Sequence, residues 1–269
     1  MQPARRFLTD SLGRTLQVPL EPQRIVSLCP SQTETLFALG LEDRIVGRTR
    51  YCIHPAPAVD KVPVVGGTKK VDAALIAQLN PDLIIAQKEE NTPAIVEELS
   101  AIAPVYVTKV ESYAEALESI RRLGEVTGRL PQAEALIEKI DAAFAALPPT
   151  TSPIPVLYLI WRKPYMAAGQ GTFIHSLLTR LGWDNVAASL PGRYPALDQP
   201  ERLAPTCVLL STEPYPFSEK HFPELQRYWP QAHLVVVRGD YFSWYGVRML
   251  EAAPYLQRLQ KELQRLTLS

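Results

Sequence analysis

The sequence predicts an α/β protein with two similar lobes, each built around a mostly parallel sheet, because three patterns occur twice in the same order. Residues 79–89 read LNPDLIIAQKE and residues 203–213 read LAPTCVLLSTE, with the glutamate at the same offset. A Leu-Gly pair precedes each phrase, at 39–40 and 181–182, and a short apolar run follows each, at 104–107 and 234–237. The alternative is chance recurrence of helix, Leu-Gly stop and buried strand, which any α/β protein can contain.

Chain length, charge and cysteine content limit the kinds of protein that this sequence can encode. The 269 residues suffice for one large domain or two of ordinary size, and the formal net charge is +0. This balance argues against a basic nucleic-acid surface and gives no support for attachment to anionic membranes. The three cysteines, at 29, 52 and 207, are scattered and predict neither a disulfide framework nor a zinc set.

The first 23 residues predict a short hairpin around Asp10–Gly13 that lies on the first lobe. The N-terminus has basic residues but no apolar segment of the signal-peptide type and no small-residue cleavage site. No stretch approaches the roughly 20 apolar residues of a membrane span. On these grounds alone we expect no export signal, and a cytoplasmic location stays open.

Buried strands alternate with helices along the first lobe. Apolar runs predict strands at 24–28, 44–48, 83–86 and 105–108. Ser31-Gln32-Thr33-Glu34 has the pattern of a capping box, and it predicts the start of a helix that ends at Leu39-Gly40.

A long helical stretch follows, with apolar residues at helical spacing from 112 to 147 and a break predicted at Gly128, before Pro131. We therefore expect an N-terminal lobe at 1–110, a connecting helical backbone at 111–150 and a C-terminal lobe at 151–269. The second lobe is expected to run strand 156–160, helix 172–181, strand 207–212, helix 220–228, strand 233–237 and helix 247–266.

Polar and aromatic residues are concentrated in the loops that follow the predicted strands. Ligands bind at this edge of open α/β sheets, so we expect the loops of both lobes to line a cleft. The aromatic residues expected there are Tyr51, Trp161, Tyr165, Tyr215, Phe217, Phe242, Trp244 and Tyr245. Together they favour a large, flat, partly apolar ligand, although any one of them could instead cover the core. Arg162 and Lys163 could meet acidic ligand groups or be solvated.

Catalytic signatures such as P-loops, GxSxG and HExxH are absent from the sequence. Cys52 and His54 form only a weak metal pair, since zinc sites need three or four ligands, and no metal site is predicted. His54 could serve as a single axial ligand to a metal already held by a macrocycle. An alternative is a cytosolic cofactor-handling enzyme or chaperone that uses Cys52, His54 and Glu89 or Glu90.

At this point the residues resemble the class III periplasmic substrate-binding proteins, which serve ABC importers of cobalamin, haem and ferric siderophores. The resemblance rests on RIVSL at 24–28, PSQTE at 30–34, Gly40 and LNPDLI at 79–84. It covers nearly the whole chain and is nearest to the cobalamin-binding branch. It implies two α/β lobes joined by a long backbone helix, binding without catalysis, and an extracytoplasmic location.

The resemblance also implies site residues. With the loop residues Tyr51, His54 and Glu89, the expected ligand contacts from the matching positions are Ser31, Gln32, Gly67, Thr68, Tyr165, Met166, Tyr194, Trp244, Tyr245 and Arg248. A carboxylate from each lobe docks on the transporter in this family. Glu201 occupies the second of these positions, and Asp72 lies near the first with a shorter side chain than the usual Glu.

The sequence therefore predicts a monomeric, non-catalytic binding protein for a corrinoid or related metal chelate, with no intrinsic cofactor. Within the same class, haem would want Tyr51 or His54 as an axial ligand. A catechol-type siderophore would want cations, and Arg50, Arg162, Lys163 and Arg193 are available. A further alternative is a domain whose cleft holds a peptide or a partner protein.

Overall fold

The computed structural model describes residues 4–148, 150 and 152–268, and the chain is an α/β protein as predicted. The described strands are β1 (Arg5–Thr9), β2 (Thr15–Pro19), β3 (Ile25–Ser27), β4 (Ile45–Arg48), β5 (Leu83–Gln87), β6 (Val105–Thr108), β7 (Ile154–Trp161), β8 (Met166–Ala167), β9 (Trp183–Asn185), β10 (Cys207–Ser211) and β11 (His233–Val237). The described α-helices are α1 (Pro30–Ala38), α2 (Ala73–Gln78), α3 (Pro93–Ser100), α4 (Tyr113–Thr127), α5 (Leu130–Ala145), α6 (Phe173–Arg180), α7 (Phe222–Leu225), α8 (Asp240–Ser243) and α9 (Arg248–Leu268).

The chain divides into two compact units. Unit one comprises residues up to Lys109, Glu115–Ile140 and the short segment Tyr245–Arg248. Unit two comprises Val110–Ala114, Asp141–Trp244 and the residues from Met249 onward. Each unit therefore includes residues that are distant in sequence, and unit one contains four residues from near the start of the last helix.

The sheet of unit one has the strand order β4-β3-β5-β6, and its strands are all parallel. Strands β5 and β6 are buried along their whole length, which explains their continuous apolar runs. Residues such as Val26, Ile84 and Val107 from the sheet pack with Ile76 of α2 and Leu99 of α3 in one core.

The predicted hairpin is present as β1 and β2, joined in antiparallel register. The Asp10 carboxylate at its turn is buried and accepts hydrogen bonds from the backbone N–H groups of Leu12 (2.9 Å) and Arg14 (3.0 Å). The Ser11 N–H donates to the carbonyl of Val107 (3.1 Å). The first two bonds close the turn, and the Ser11 bond fastens the hairpin to β6, at the edge of the unit-one sheet.

The predicted helical stretch consists of two consecutive helices, α4 and α5. The break falls at Gly128, where φ is +72°, as the sequence predicts. Helix α1 likewise ends just before Gly40, also with φ +72°. The ends of α1 and α4 were thus predictable from glycine positions.

Unit two contains a five-stranded sheet with the order β11-β10-β7-β8, and β9 pairs with β7. Strands β11, β10, β7 and β9 run parallel, whereas the two-residue β8 is antiparallel to β7. The predicted helix at 220–228 is shorter than expected, because a 3-10 turn at Glu219–His221 precedes the four-residue α7. Within the described part of the chain, no helix has the length and apolar character needed to cross a membrane.

Candidate functional site

Unit one presents its candidate site at the carboxyl edge of its sheet. Because the strands are parallel, the loops that follow β4 and β5 and the start of α1 after β3 all lie at this edge. The prediction that polar and aromatic loops follow buried strands at one sheet edge is confirmed for the loops at 50–55 and 88–91. This edge is where a ligand of an open α/β sheet is expected.

Tyr51 is the most exposed aromatic residue at this edge, with 54% of its surface accessible. The Arg50 N–H donates to the Gly66 carbonyl (2.8 Å), which joins the loop to the turn at 66–71. The Tyr51 ring lies against Gly67, so closely that a Cβ on that glycine would come within 3.3 Å of the ring. Gly67 therefore acts as a flat support for an exposed ring.

The loop after β5 is fastened to the same turn. The Asn91 side-chain amide donates to the Thr68 carbonyl (3.0 Å), and Lys69 Nζ donates to the Glu89 carbonyl. Gln87 Oε1 accepts from the backbone N–H groups of Glu89 (2.6 Å) and Glu90 (2.7 Å). Thr68 is thereby buried, and the Glu89 side chain is half-buried, as is that of His54 in the neighbouring loop.

The start of α1 differs from the prediction. The helix begins at Pro30 after Cys29, and no side chain caps its N-terminus, so the predicted capping box is wrong. Ser31 Oγ instead lies 3.4 Å from Cys29 Sγ. Gln32 is fully buried and donates to Thr108 Oγ1. Ser31 and Gln32, both expected ligand contacts, are 4% and 0% exposed, so they lie beneath the surface of this edge.

The Glu34 carboxylate has a distant partner in place of a capping role. It accepts hydrogen bonds from Arg248 Nε (3.0 Å) and Nη2 (2.5 Å), and both side chains are buried. Two carboxylate oxygens thus meet two guanidinium nitrogens, the strong geometry for this pair. Arg248, another expected ligand contact, is 3% exposed and holds the last segment of unit one.

Tyr245 belongs to the same segment and is also buried, at 7% exposure. Its hydroxyl lies near the buried side chains of Ser31 and Thr108, and burial raises its pKa well above the ordinary value. At the next residue, a Cβ on Gly246 would lie 2.1 Å from Thr35 Oγ1, so only glycine allows this approach. Tyr245 is therefore part of a buried polar cluster in unit one.

Unit two presents a second candidate surface at the carboxyl ends of β7, β10 and β11. Trp161, at the end of β7, is 40% exposed and lies edge-on to Tyr215 with ring centroids 5.8 Å apart. Tyr215 in turn contacts the rings of Phe217 (4.7 Å) and His221 (5.5 Å). The Tyr215 hydroxyl is 3.2 Å from His221 Nε2. An exposed indole thus rests on a connected set of buried and half-buried rings.

A charged network crosses the same surface. Arg162 Nη2 donates to Glu224 Oε2 (2.5 Å), and the Tyr165 hydroxyl donates to Glu224 Oε1 (2.5 Å). These hydrogen bonds, from Arg162 first and then Tyr165, lower the pKa of Glu224. The Tyr165 ring is buried and stacks on Phe217, with an angle of 14° between the two planes.

The loop at 192–196 lies beside the start of β8. The Ala167 N–H donates to the Pro195 carbonyl (3.0 Å), and Met166 pairs with Ala196. Tyr194, 36% exposed, lies under the Arg193 guanidinium at 5.8 Å from the ring centroid. Met166 is half-buried. These expected contacts therefore lie close together within unit two.

Phe242 does not fit its predicted role. It is fully buried and packs on Tyr158 (5.0 Å) and Trp183 (6.5 Å) within unit two. Helix α8 buries this ring in the core, so Phe242 is a core residue and its prediction as a ligand contact is corrected. The neighbouring Trp244 is half-buried.

The buried Cys52 does not have the surroundings of a nucleophile. Cys52 is fully buried, its thiol lies 3.1 Å from Thr33 Oγ1 and from Thr49 Oγ1, and burial raises its pKa. A nucleophilic cysteine needs the opposite, a lowered pKa and access. Among the described residues, no group of three or more His, Cys, Asp or Glu side chains could hold a metal ion.

The two expected docking carboxylates are both on exposed residues. Asp72 caps α2, where its Oδ1 accepts from the Leu75 N–H (2.9 Å). Glu201 lies in the 3-10 turn Pro200–Arg202.

Sequence reasoning missed Glu224 and the loop-holding roles of Gln87 and Asn91. Glu224 lies 62 positions from Arg162, so no local pattern links them. The QKEEN run at 87–91 did contain a signal, because a side-chain amide at each end of a tight loop can satisfy its backbone.

Several known proteins are similar to this chain in sequence or in fold. The vitamin B12-binding protein of Photorhabdus laumondii is 25% identical over 244 residues, covering 87% of this chain and 86% of that protein. An uncharacterized ABC transporter substrate-binding lipoprotein of Bacillus subtilis is 26% identical over 211 residues, covering 71% and 64%. The apo structure of the periplasmic heme-binding protein from Roseiflexus sp. RS-1 matches with a TM-score of 0.75 and 22% identity, covering 90% and 98%.

A family profile described as periplasmic binding protein matches residues 25–212, which is more than half of the chain. Because this family and the similar proteins are substrate-binding proteins, the alternative of an enzyme that uses Cys52 is wrong. The predicted resemblance is confirmed, and the chain belongs to the periplasmic binding protein family.

Proposed function

We propose that this binding protein carries a corrinoid of the cobalamin type and delivers it to an ABC importer. The class of protein is that of its family, and the corrinoid is our inference. The observation that carries it is the exposed aromatic ring at the carboxyl edge of each sheet, Tyr51 in unit one and Trp161 in unit two. Rings of this kind offer broad apolar contact at little entropic cost, which suits a large macrocycle.

The proposed ligand contacts in unit one are Tyr51 with its support Gly67, and the polar groups of His54, Thr68 and Glu89. In unit two they are Trp161, Tyr215, Trp244, Tyr194 and Met166. Six of the expected contacts are buried, and we assign them to the support of these surfaces from below and not to ligand contact: Ser31, Gln32, Tyr165, Phe217, Tyr245 and Arg248. The similarity to vitamin B12-binding proteins supports the corrinoid.

Haem is the second candidate, and the exposed Tyr51 phenol is the observation that favours it. A phenolate oxygen can serve as an axial ligand to haem iron, as in other haem proteins. The fold similarity to a periplasmic heme-binding protein is compatible with this ligand. A polyanionic siderophore is less favoured, because Arg162 and Arg193 already pair with Glu224 and Glu111.

The test is a titration of the purified protein with cyanocobalamin, followed by calorimetry, with haemin in parallel. Saturable one-to-one binding of cyanocobalamin that weakens at least tenfold in Trp244→Ala would support the corrinoid. The matched control is Phe7→Ala, which removes a 71% exposed aromatic ring on β1, far in sequence from every proposed contact. Binding of haemin alone, with a Soret shift lost in Tyr51→Phe, would move the ligand to haem. Binding of neither would refute both.

We also propose that Asp72 and Glu201 dock on the importer and that the protein acts outside the cytoplasm. Asp72→Asn keeps a good helix cap while removing the charge, so it separates docking from stability. In an uptake assay with the importer, Asp72→Asn with Glu201→Gln should reduce transport and leave ligand affinity unchanged. Equal transport by this variant and the wild type would remove both residues from the docking surface.

A further inference from the structure

We propose that Glu224 makes unit two selective against polyanionic ligands by compensating the charge of Arg162. This inference rests on the proposed function, because it assumes that the ligand meets the Trp161 surface. It assigns a specificity role to a residue that does not itself have to contact the ligand.

The geometry shows one carboxylate shared by two residues of the loop that follows β7. Its Oε2 accepts from Arg162 Nη2 and its Oε1 accepts from the Tyr165 hydroxyl, both at 2.5 Å. The two oxygens thus engage the second and the fifth residues of the run Trp161–Tyr165. Because Glu224 lies on α7, it holds this loop from outside and fixes the orientation of the guanidinium.

Two of the three guanidinium nitrogens are not open to a further anion. Its Nη2 is held by Glu224 (2.5 Å). Its Nε is buried and has no acceptor among the described residues, so a ligand cannot reach that nitrogen without moving the loop. The Glu224 carboxylate stays ionised at neutral pH, since Arg162 and Tyr165 lower its pKa.

Charge compensation of Arg162 changes which ligands bind more tightly through contact with this surface. Arg162 and Glu224 have side chains that are 25% and 36% exposed, so an approaching ligand meets a pair with no net charge. What it meets directly is the apolar face of Trp161, 40% exposed. Lys163 is the neighbouring cation, and its field also reaches Glu224. A macrocycle with carboxylate or catecholate groups therefore finds one uncompensated cation here, Lys163, where it would find two without Glu224. The affinity of an uncharged macrocycle edge does not depend on this difference.

Glu224→Gln tests the idea, because glutamine still accepts a hydrogen bond from Tyr165 but leaves Arg162 uncompensated. The probes are haemin, its dimethyl ester, which lacks the two carboxylate charges, and cyanocobalamin. We expect the dissociation constant for haemin to fall about fivefold, the effect of one unit charge near a solvated surface. The ester and cyanocobalamin should change less than twofold. Glu219→Gln, which removes an exposed carboxylate from the preceding turn, is the matched control and should change none of the three.

A double variant tests whether the increase in haemin affinity arises from Arg162. If the gain arises from the released guanidinium, Glu224→Gln combined with Arg162→Gln should lose it. A gain that persists in the double variant, an equal gain for the ester, or no gain for haemin would each overturn the proposal.

Failure of the proposed function gives a different result. If the wild type binds none of the probes, the ligand assignment fails, and Arg162 is then followed in the ligand-free protein by its rate of modification with phenylglyoxal. A faster rate in Glu224→Gln than in Glu219→Gln would support compensation of Arg162 by Glu224. Equal rates would overturn it.

Discussion

The loops at the two sheet edges are held in place by different kinds of bond. In unit one, at least one partner of each of these bonds is a backbone group, as in the bonds from Arg50 N–H to the Gly66 carbonyl and from the Asn91 side-chain amide to the Thr68 carbonyl. In unit two, side chains bond to side chains, as Glu224 does to Arg162 and Tyr165. The carboxyl edge of a parallel sheet therefore supports, in unit one, a surface whose loops are joined through backbone groups and, in unit two, a Trp161 surface that is joined by contacts between side chains.

This difference predicts how each surface responds to change. A loop fixed by backbone groups tolerates substitution of its exposed side chains, because the supporting bonds remain. A loop fixed by a side-chain network can change shape or charge through one substitution, because each member supports the others. Ligand preference should thus vary more readily through unit two than through unit one.

The units can be followed separately because all four tryptophans, at 161, 183, 229 and 244, lie in unit two. Tryptophan fluorescence therefore reports on unit two, whereas circular dichroism reports on the helices of both units.

Breaking the buried pair of unit one should have the largest effect. Arg248→Met leaves the Glu34 carboxylate buried without its cation, which costs about 3–5 kcal/mol in the free energy of unfolding. In urea unfolding, the transition followed by circular dichroism should move to lower urea more than the one followed by tryptophan fluorescence. Arg122→Met is the control, since that side chain is 46% exposed and its ion pairs contribute less than about 1 kcal/mol. Equal shifts in both signals would show that the two units do not respond separately.

Removing the exposed ring of each unit should weaken ligand binding. Tyr51→Ala and Trp161→Ala should each raise the dissociation constant about 5- to 30-fold, the range for an aromatic contact worth 1–2 kcal/mol. In the ligand-free protein, Tyr51→Ala should leave the tryptophan spectrum unchanged. Trp161→Ala should also alter near-UV circular dichroism, because its ring contacts Tyr215. Full affinity in either variant would remove that unit from the proposed surface.

High pH should destabilise each unit through a buried thiol. Burial raises the pKa of Cys29 in unit one from 9.0 to about 12 and that of Cys207 in unit two to about 11. The unfolded chain loses these protons above pH 9 while the folded one retains them. Each thiol's contribution is therefore fully present below pH 9 and falls by about 1.4 kcal/mol per pH unit until the folded thiol ionises. Urea unfolding from pH 8 to 10.5 should show a shallower decline in Cys29→Ala and in Cys207→Ala. An unchanged slope would mean that the thiol ionises equally in both states.

The smallest effect is expected at the support of Tyr51. Gly67→Ala places a methyl group 3.3 Å from the Tyr51 ring, which must shift by a few tenths of an ångström. Ligand affinity should fall less than about threefold, since the contact is displaced and not removed. Gly66→Ala is the contrast, because φ is +117° there and the new methyl group would lie 2.6 Å from the Lys70 carbonyl. That variant should lose stability as well as affinity, and equal behaviour of the two would contradict this view of the turn.

Local patterns predicted the elements well. Apolar runs located β3 to β6 and β10 to β11, and glycine marked the ends of α1 and α4, because burial and left-handed backbone leave clear signals in a short window. The strand ends then placed Tyr51 and Trp161 at a sheet edge.

Long-range pairing was not predictable. The pattern from Ser31 to Glu34 indicates a cap, but Glu34 bonds to a residue 214 positions away. Phe242 looks like a loop aromatic, yet the one-turn helix that contains it buries its ring on Tyr158. Both errors have the same origin, since a partner distant in sequence decides the role of each residue.

The short segment Tyr245–Arg248 has a consequence for how this protein can be divided. Unit one is not a continuous stretch of sequence, because it obtains the cation for Glu34 and the buried Tyr245 from near the start of α9. A fragment that stops before residue 245 would lack both. Chimeras that exchange ligand-binding halves among relatives should therefore transplant these four residues together with the N-terminal half, even though the gene places them in the C-terminal one.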